Sequence, residues 1–229
     1  MTASDTPGGY ASPPCFAHEL DPAWTGLQEV DPQQAKDVAR WRRSERERLL
    51  AARRGAGREA RKAAALAIGE ALDRLLSDVV GELRGCVVSG WWPIQAELDL
   101  RPWLARLPEK GARAALPVVA RRAAPLVFRH WDSTARMEPG FWNIPVPVGT
   151  EEVVPDVVFA PVVGFDPACY RLGYGGGYFD RTLAALDPRP LAIGIGLAGS
   201  RIPTIYPQPH DIPMAAVVTE EAVLRRAGS

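Results

Sequence analysis

The stretch from Gly164 to Leu183, GFDPACYRLGYGGGYFDRTL, concentrates the residue types that do chemistry. Gly173, Gly175, Gly176 and Gly177 lie between an apolar run and a helix predicted to begin near Tyr178. Such a loop lets several backbone N–H groups crowd around one oxyanion. The helix N-terminus adds unpaired donors and the positive end of its dipole. Phosphate binding is the chemistry that follows, although the glycine count alone suits a flexible turn equally well. The loop lacks the Gly-Lys-Ser/Thr ending of a P-loop and the spacing of a dinucleotide fingerprint. Its flanks tip the balance. Arg171, two residues before the first glycine, offers a bidentate donor for a phosphate. Asp180, in the first helical turn, offers a carboxylate to Mg2+ or to the helix dipole.

Two further groups carry charge worth explaining. His210 and Asp211 follow Pro203, Pro207 and Pro209 in a rigid turn. A His-Asp pair suits acid–base work, but no nucleophile accompanies it, so a triad is not indicated. Metal coordination by Asp211 is better motivated than catalysis by His210. Upstream, Arg40 to Lys62 holds ten basic residues against three acidic. On a helix Arg42, Arg46 and Arg53, four and seven residues apart, share one face and can reach toward the same phosphates. A solvated face with Glu–Arg pairs accounts for most of the ten charges.

The elements that must position these groups are legible in the periodicity. Two helical stretches lie between Gln33 and Arg84, separated by Gly55 and Gly57. The second puts Ala64, Ile68, Leu72, Leu75, Leu76 and Val79 on one face. After Gly85 come short apolar runs bounded by Pro and Gly: CVVSGWW, AALPVVA, PLVFRHW, PDVVFAPVVGF, LAIGIGLA and AAVVTE. Helical material is expected between them at Asp99 to Leu107 and Tyr178 to Leu186. Runs this apolar must be covered on both faces. The fold class expected is therefore α/β, a single domain over residues 33–229 with a central, largely parallel sheet flanked by helices and preceded by a long N-terminal helical segment. Residues 1–32, rich in Pro, Gly, Ser and Thr, read as a flexible extension.

Composition bounds the function. In 229 residues, 47% apolar and 24% charged, wholesale disorder is ruled out. The 27 basic and 27 acidic residues cancel, so no global field draws the chain to nucleic acid or an anionic membrane. Cys15, Cys86 and Cys169 are odd in number and far apart, which fits neither a disulfide framework nor paired zinc ligands. The first residues lack a secretory pattern and no apolar run is long enough to span a bilayer, so a cytoplasmic location is expected.

The string RLGYGGGYFDRTL, preceded by VVGFD and followed by PHDIP and VVTE, closely resembles the signature of 5-formyltetrahydrofolate cyclo-ligases, over about Gln33 to Val223. The resemblance implies a single α/β domain that uses ATP and Mg2+ to convert 5-formyltetrahydrofolate to 5,10-methenyltetrahydrofolate, giving ADP and phosphate. It implies an ATP loop of Arg171, Leu172, Gly173, Tyr174, Gly175, Gly176, Gly177, Tyr178 and Phe179. Tyr174, Gly175, Gly176, Gly177 and Tyr178 would also face the folate, and Asp180 and Asp211 would hold the metal. Arg171, Tyr174 and Asp180 are the expected catalytic residues. The segment WWPIQAELD matches the family's folate contacts, implying Trp92 and Glu97. Trp91 and Trp92 offer an aromatic surface to a flat pterin, with core packing the equal alternative. Glu97 can accept from an amino-pyrimidine edge, with Asp99 as the other candidate.

The family also places a Lys and an Arg, four apart, against ATP. Here Arg42 or Arg43 stands at the Lys position and Arg46 or Glu47 at the next, with an arginine fork where the family has a compact ammonium. Two further departures are Ala215, where an acidic residue often stands, and the segment WNIPVP. They permit a relative that binds ATP but acts on another small molecule. The competing class is an RNA-binding protein using the arginine-rich helix, with steeply salt-sensitive affinity. The partners expected are a reduced folate and ATP, with no nucleic acid, no membrane and a monomeric state.

Overall fold

The computed structural model describes residues 32–227; of the extension read over residues 1–32, all but Pro32 lies outside them. Helix α1 (Pro32–Gly55) opens on proline, whose missing N–H costs nothing in a first turn, and stops at Gly55. After the Gly57 cap, α2 (Arg58–Val79) buries Ala64, Ile68, Ala71, Leu72, Leu75 and Leu76 along one stripe. Val79, expected on that stripe, is 46% exposed at the last residue of the helix, where the chain turns toward Gly81. Leu72 is fully buried, so Leu72→Ala would cost about 2–5 kcal/mol in lost transfer energy and cavity.

The strands follow in chain order: β1 (Val87–Ser89), β2 (Arg113–Val118), β3 (Val127–Trp131), β4 (Met137–Pro139), β5 (Pro145–Pro147), β6 (Glu152–Val153), β7 (Val157–Pro161), β8 (Gly164–Phe165), β9 (Arg171–Leu172), β10 (Leu191–Ile195), β11 (Ala216–Val218) and β12 (Val223–Arg225). Among the described residues eight of them form one sheet in the order β12-β11-β10-β7-β1-β2-β3-β6. The five from β11 to β2 run parallel; β12 pairs antiparallel with β11 at one edge, and toward the other β3 pairs antiparallel with β2 and the edge strand β6 antiparallel with β3. β1 and β11 are buried throughout and β7 and β10 at all but one residue, as covered parallel strands must be. The edge strand β12 is mostly exposed.

Two small hairpins, β4–β5 and β8–β9, stand outside this sheet. Helical material expected over Asp99 to Leu107 is only a short turn, α3 (Arg101–Leu104), followed by a 3-10 turn at Leu107–Lys110. Pro102 and Pro108 restrict its length, since proline fits only a helix's first turn. Helix α4 (Tyr178–Ala185) starts where the glycine loop ends. No helix among the described residues is long and apolar enough to cross a membrane.

Candidate active site

A cavity of about 700 Å³ opens beside the carboxyl ends of β1, β2 and β7, the edge where α/β sheets place their ligands. Trp91 and Trp92 follow β1, Pro117 and Val119 close β2, and Pro161 closes β7. The structure brings every expected site residue to its wall: Arg42 and Arg46 from α1, Trp92 and Glu97 from the loop after β1, Arg171 through Asp180 from β9 and α4, and Asp211. A second cavity, of about 620 Å³, lies between α1, α2 and the turn at Leu197–Ser200. Its walls are largely alanine, with few polar groups to orient a ligand.

The glycine loop is held open by its neighbours. Gly175 and Gly177 have φ of +97° and +61°, a region costly for residues with a Cβ. A Cβ on Gly176 would come within 2.9 Å of the Tyr178 ring. The Gly173 carbonyl accepts from Arg46 Nε at 2.7 Å, and the Gly176 carbonyl accepts from Arg181. The amide N–H groups of Gly175, Gly176 and Gly177 find no acceptor among the described residues. Carbonyls tied back and donors left open make an anion-receptive wall.

Beneath the loop sits a buried polar hub. Asp166 accepts from the amides of Ala168 and Tyr170 with one oxygen and from Ile205 N–H with the other. It thereby joins the β8–β9 turn to the strap over residues 202–211. Arg42 spans from α1 to that strap, donating to the carbonyls of Ile205 (3.0 Å) and Tyr206 (2.8 Å) and pairing with Asp211 at 2.5 Å. Asp211 also accepts from Gln208 N–H. Arg171 pairs with Asp180 at 2.8 Å, and Ile212 N–H donates to the other Asp180 oxygen. Arg171 lies 5.3 Å from the Phe179 ring centroid, and its Nε is buried with no partner.

Burial pushes the Asp180 carboxyl above its usual range, and the charge of Asp211 adds to the rise against the pull of Arg171. Burial likewise pushes His210 down, so it is neutral at physiological pH, and its 3.7 Å approach to Asp211 is not an ion pair there. Of the helix candidates, Arg43 and Glu47 are exposed, whereas Arg42 and Arg46 line the cavity.

At the other end of the cavity, Trp91 is 6% exposed and belongs to the core, leaving Trp92 as the available ring. Arg101 stacks on Trp92 at 4.1 Å from the centroid while pairing with Asp99. Asp99 is thus committed to Arg101 and does not line the cavity. Glu97 is 8% exposed, and its oxygens accept from Ile94 N–H and from the Tyr174 hydroxyl, both at 2.9 Å. Burial pushes its carboxyl upward, opposed by Ile94 N–H, Arg53, Tyr174 and Trp91.

Sequence reasoning missed Trp142. It sits at the tip between β4 and β5 with φ +53°, 64% exposed, lining the cavity with its ring 5.6 Å from that of Tyr178. An aromatic bracketed by Pro139-Gly140 and Pro145 was the available signal.

The fold and this cavity define a single α/β domain with a phosphate-receptive loop and an aromatic, carboxylate-bearing recess sharing one cleft. A family model described as the 5-formyltetrahydrofolate cyclo-ligase family matches residues 38–220. The chain belongs to that family. It is 31% identical over 134 residues to the 5-formyltetrahydrofolate cyclo-ligase of Escherichia coli, covering 56% of this chain and 74% of that one. It is 30% identical over 158 residues to the Mycolicibacterium smegmatis protein of the same name, covering 66% and 80%. The structure of Aquifex aeolicus 5,10-methenyltetrahydrofolate synthetase superposes with a TM-score of 0.66 at 27% identity, covering 82% of this chain and 94% of that one. The Mycoplasma pneumoniae synthetase, at 20% identity and a TM-score of 0.62, shares the fold; the match covers 78% and 98%.

Proposed function

We propose that this chain converts 5-formyltetrahydrofolate to 5,10-methenyltetrahydrofolate at the expense of ATP, releasing ADP and phosphate. The observation that carries the reading is the single cleft of about 700 Å³ in which the glycine loop and the Trp92–Glu97 recess face the same space. The functional unit is the domain over residues 33–229, acting as a cytoplasmic monomer.

In this reading the formyl oxygen attacks the γ-phosphorus, ADP leaves, and the resulting imidate phosphate is a good leaving group. The neighbouring anilino nitrogen then closes on the activated carbon and gives up its proton to solvent, the carbon–oxygen bond breaks and phosphate departs. The protein supplies position and charge, as in other phosphoryl transfers. The open amides of Gly175, Gly176 and Gly177 and the guanidinium groups of Arg171 and Arg46 take the phosphate charge. Leu172, Gly173, Tyr178 and Phe179 shape the loop against the nucleotide. Trp92 and Trp142 flank the pterin, and Glu97 accepts from its amino-pyrimidine edge. Tyr174 meets both ligands, since its loop borders one and its hydroxyl touches Glu97.

Asp180 and Asp211 fit a Mg2+ delivered with the phosphates. They are hard oxygen donors, and the charge of Asp211 raises the proton affinity of Asp180, a repulsion that a divalent ion would relieve. When bound, the ion neutralises phosphate charge. Arg42 fixes Asp211, and Arg171 is free to turn from Asp180 to a phosphate oxygen.

The test is direct: folded protein is mixed with 5-formyltetrahydrofolate and Mg-ATP, and methenyl absorbance is followed. Growth that requires ATP supports the reading; none from folded protein sinks it.

A further inference from the structure

We propose that Arg53 is a positioning residue for folate: acting through the Tyr174 hydroxyl, it holds the Glu97 carboxylate charged and oriented for the pterin's N–H donors. The proposal rests on the function proposed above and deepens it.

The geometry is a relay across three elements. Arg53, near the end of α1, donates to the Tyr174 hydroxyl oxygen and lies 5.5 Å from that ring's centroid. With its oxygen occupied by a guanidinium N–H, the hydroxyl directs its own proton to Glu97, 2.9 Å away. Tyr174 is 37% exposed as a residue, but its hydroxyl points inward to a carboxylate that is almost fully buried. Burial, with the Glu97 charge, pushes the phenol far above its ordinary range, so it remains a donor. Among the described residues no carboxylate pairs directly with Arg53.

A carboxylate has about four acceptor directions. Ile94 N–H uses one and Tyr174 uses another, one on each Glu97 oxygen. Each oxygen keeps a direction free, enough for two adjacent N–H groups of an amino-pyrimidine. That holds only while Glu97 is ionised, because a protonated carboxyl gives up an acceptor. Burial works against ionisation. The groups facing Glu97 that oppose it are Ile94 N–H from its own loop, Arg53 from α1, Tyr174 from the glycine loop and the Trp91 indole. Arg53 is the cation among them, and it acts without touching the oxygens the ligand needs. A direct Arg53–Glu97 bridge would occupy them.

The experiment measures equilibrium binding of 5-formyltetrahydrofolate and steady-state kinetics across the neutral pH range for the wild type, Arg53→Met, Arg53→Gln and Arg53→Lys. In Arg53→Met the folate Kd and KM are expected to rise about tenfold at neutral pH and by up to tenfold more per pH unit of acidification. The KM for Mg-ATP and kcat at saturating folate should move less than about threefold. Arg53→Lys should return the wild-type profile by restoring charge. Arg53→Gln, which keeps a donor without charge, should follow Arg53→Met and carries the test if that variant fails to fold. A wild-type pH profile in both uncharged variants, or equal losses for folate and ATP, overturns the proposal while leaving the function intact. Failure of the wild type to bind folate overturns both.

Discussion

The two ends of the cleft bury carboxylates in opposite ways. At the phosphate end each aspartate has its own arginine in contact: Asp211 with Arg42 at 2.5 Å and Asp180 with Arg171 at 2.8 Å. At the proposed pterin end Glu97 has no arginine in contact among the described residues, and the cation whose charge acts on it, Arg53, stands behind a tyrosine hydroxyl. A direct pair keeps both partners neutralised; on the proposed function Arg171 would exchange Asp180 for phosphate when the ligands arrive, while Arg42 keeps Asp211 in place. An indirect pair leaves the carboxylate's acceptor directions open to a ligand whose recognition edge is made of N–H donors. On the proposed function the difference follows the charge of what each end would receive.

The sharpest way to break this contrast is at Asp180. Asp180→Asn keeps shape and one acceptor but removes the charge that Arg171 pairs with and that the proposed metal would share. Turnover should fall by about two to three orders of magnitude, with an unchanged melting curve showing that the fold survives. Full activity of the variant at limiting Mg2+ would remove Asp180 from the metal site.

Arg42→Met probes the other direct pair, where both side chains are under one-tenth exposed. The variant strands Asp211 and frees the carbonyls of Ile205 and Tyr206, so stability should drop by about 3–5 kcal/mol. Chemical denaturation reads this as a lower midpoint at unchanged slope. A loss below about 1 kcal/mol would mean that the strap over residues 202–211 is not pinned by this arginine.

These two sites differ in how far the sequence disclosed them. Arg171, the glycines and Asp180 lie within ten residues, and their chemistry depends on local spacing, so loop and flanks were legible together. The central strands were legible because burial on both faces writes an uninterrupted apolar run. Arg42 and Arg46 were readable only to within a residue, because an arginine-rich helix looks alike on several faces until its buried face is known. The Arg53–Tyr174 contact joins residues 121 apart, and nothing in the sequence around either names the other. β8, β9 and β12 are two or three residues long, too short for an alternating pattern. Trp142 was hidden for a different reason: its segment stood out as a departure from the family pattern, while its position over the cavity comes from the β4–β5 hairpin.

At the pterin end Glu97→Gln separates stability from recognition. The raised carboxyl means that the folded state holds this proton more tightly than the unfolded chain does. That contribution is fully present below the ordinary carboxylate range and is lost as pH rises toward the folded-state value. The glutamine variant has no proton to lose, so above that window it should be at least as stable as the wild type. Its folate KM should nevertheless rise by about 10- to 100-fold, the worth of a hydrogen bond to a charged group. Reduced stability at neutral pH together with unchanged folate KM would make Glu97 a structural residue.

Trp142→Ala carries the smallest expected effect and reaches beyond the carboxylates to the wall opposite them. The ring is 64% exposed, so its removal should change stability by no more than about 0.5 kcal/mol. The cost of holding a bulky residue at φ +53° would even ease slightly in alanine. An exposed ring on the cavity wall gains burial only when a ligand covers it, and an aromatic contact of that kind is worth about 0.5–1.5 kcal/mol beyond area. Folate KM should therefore rise about two- to tenfold, with Mg-ATP KM unmoved. If ATP suffered equally, the hairpin tip would be closing over the phosphate end as well, and the division of the cleft into two differently charged halves would have to be redrawn around Tyr178, whose ring Trp142 already meets.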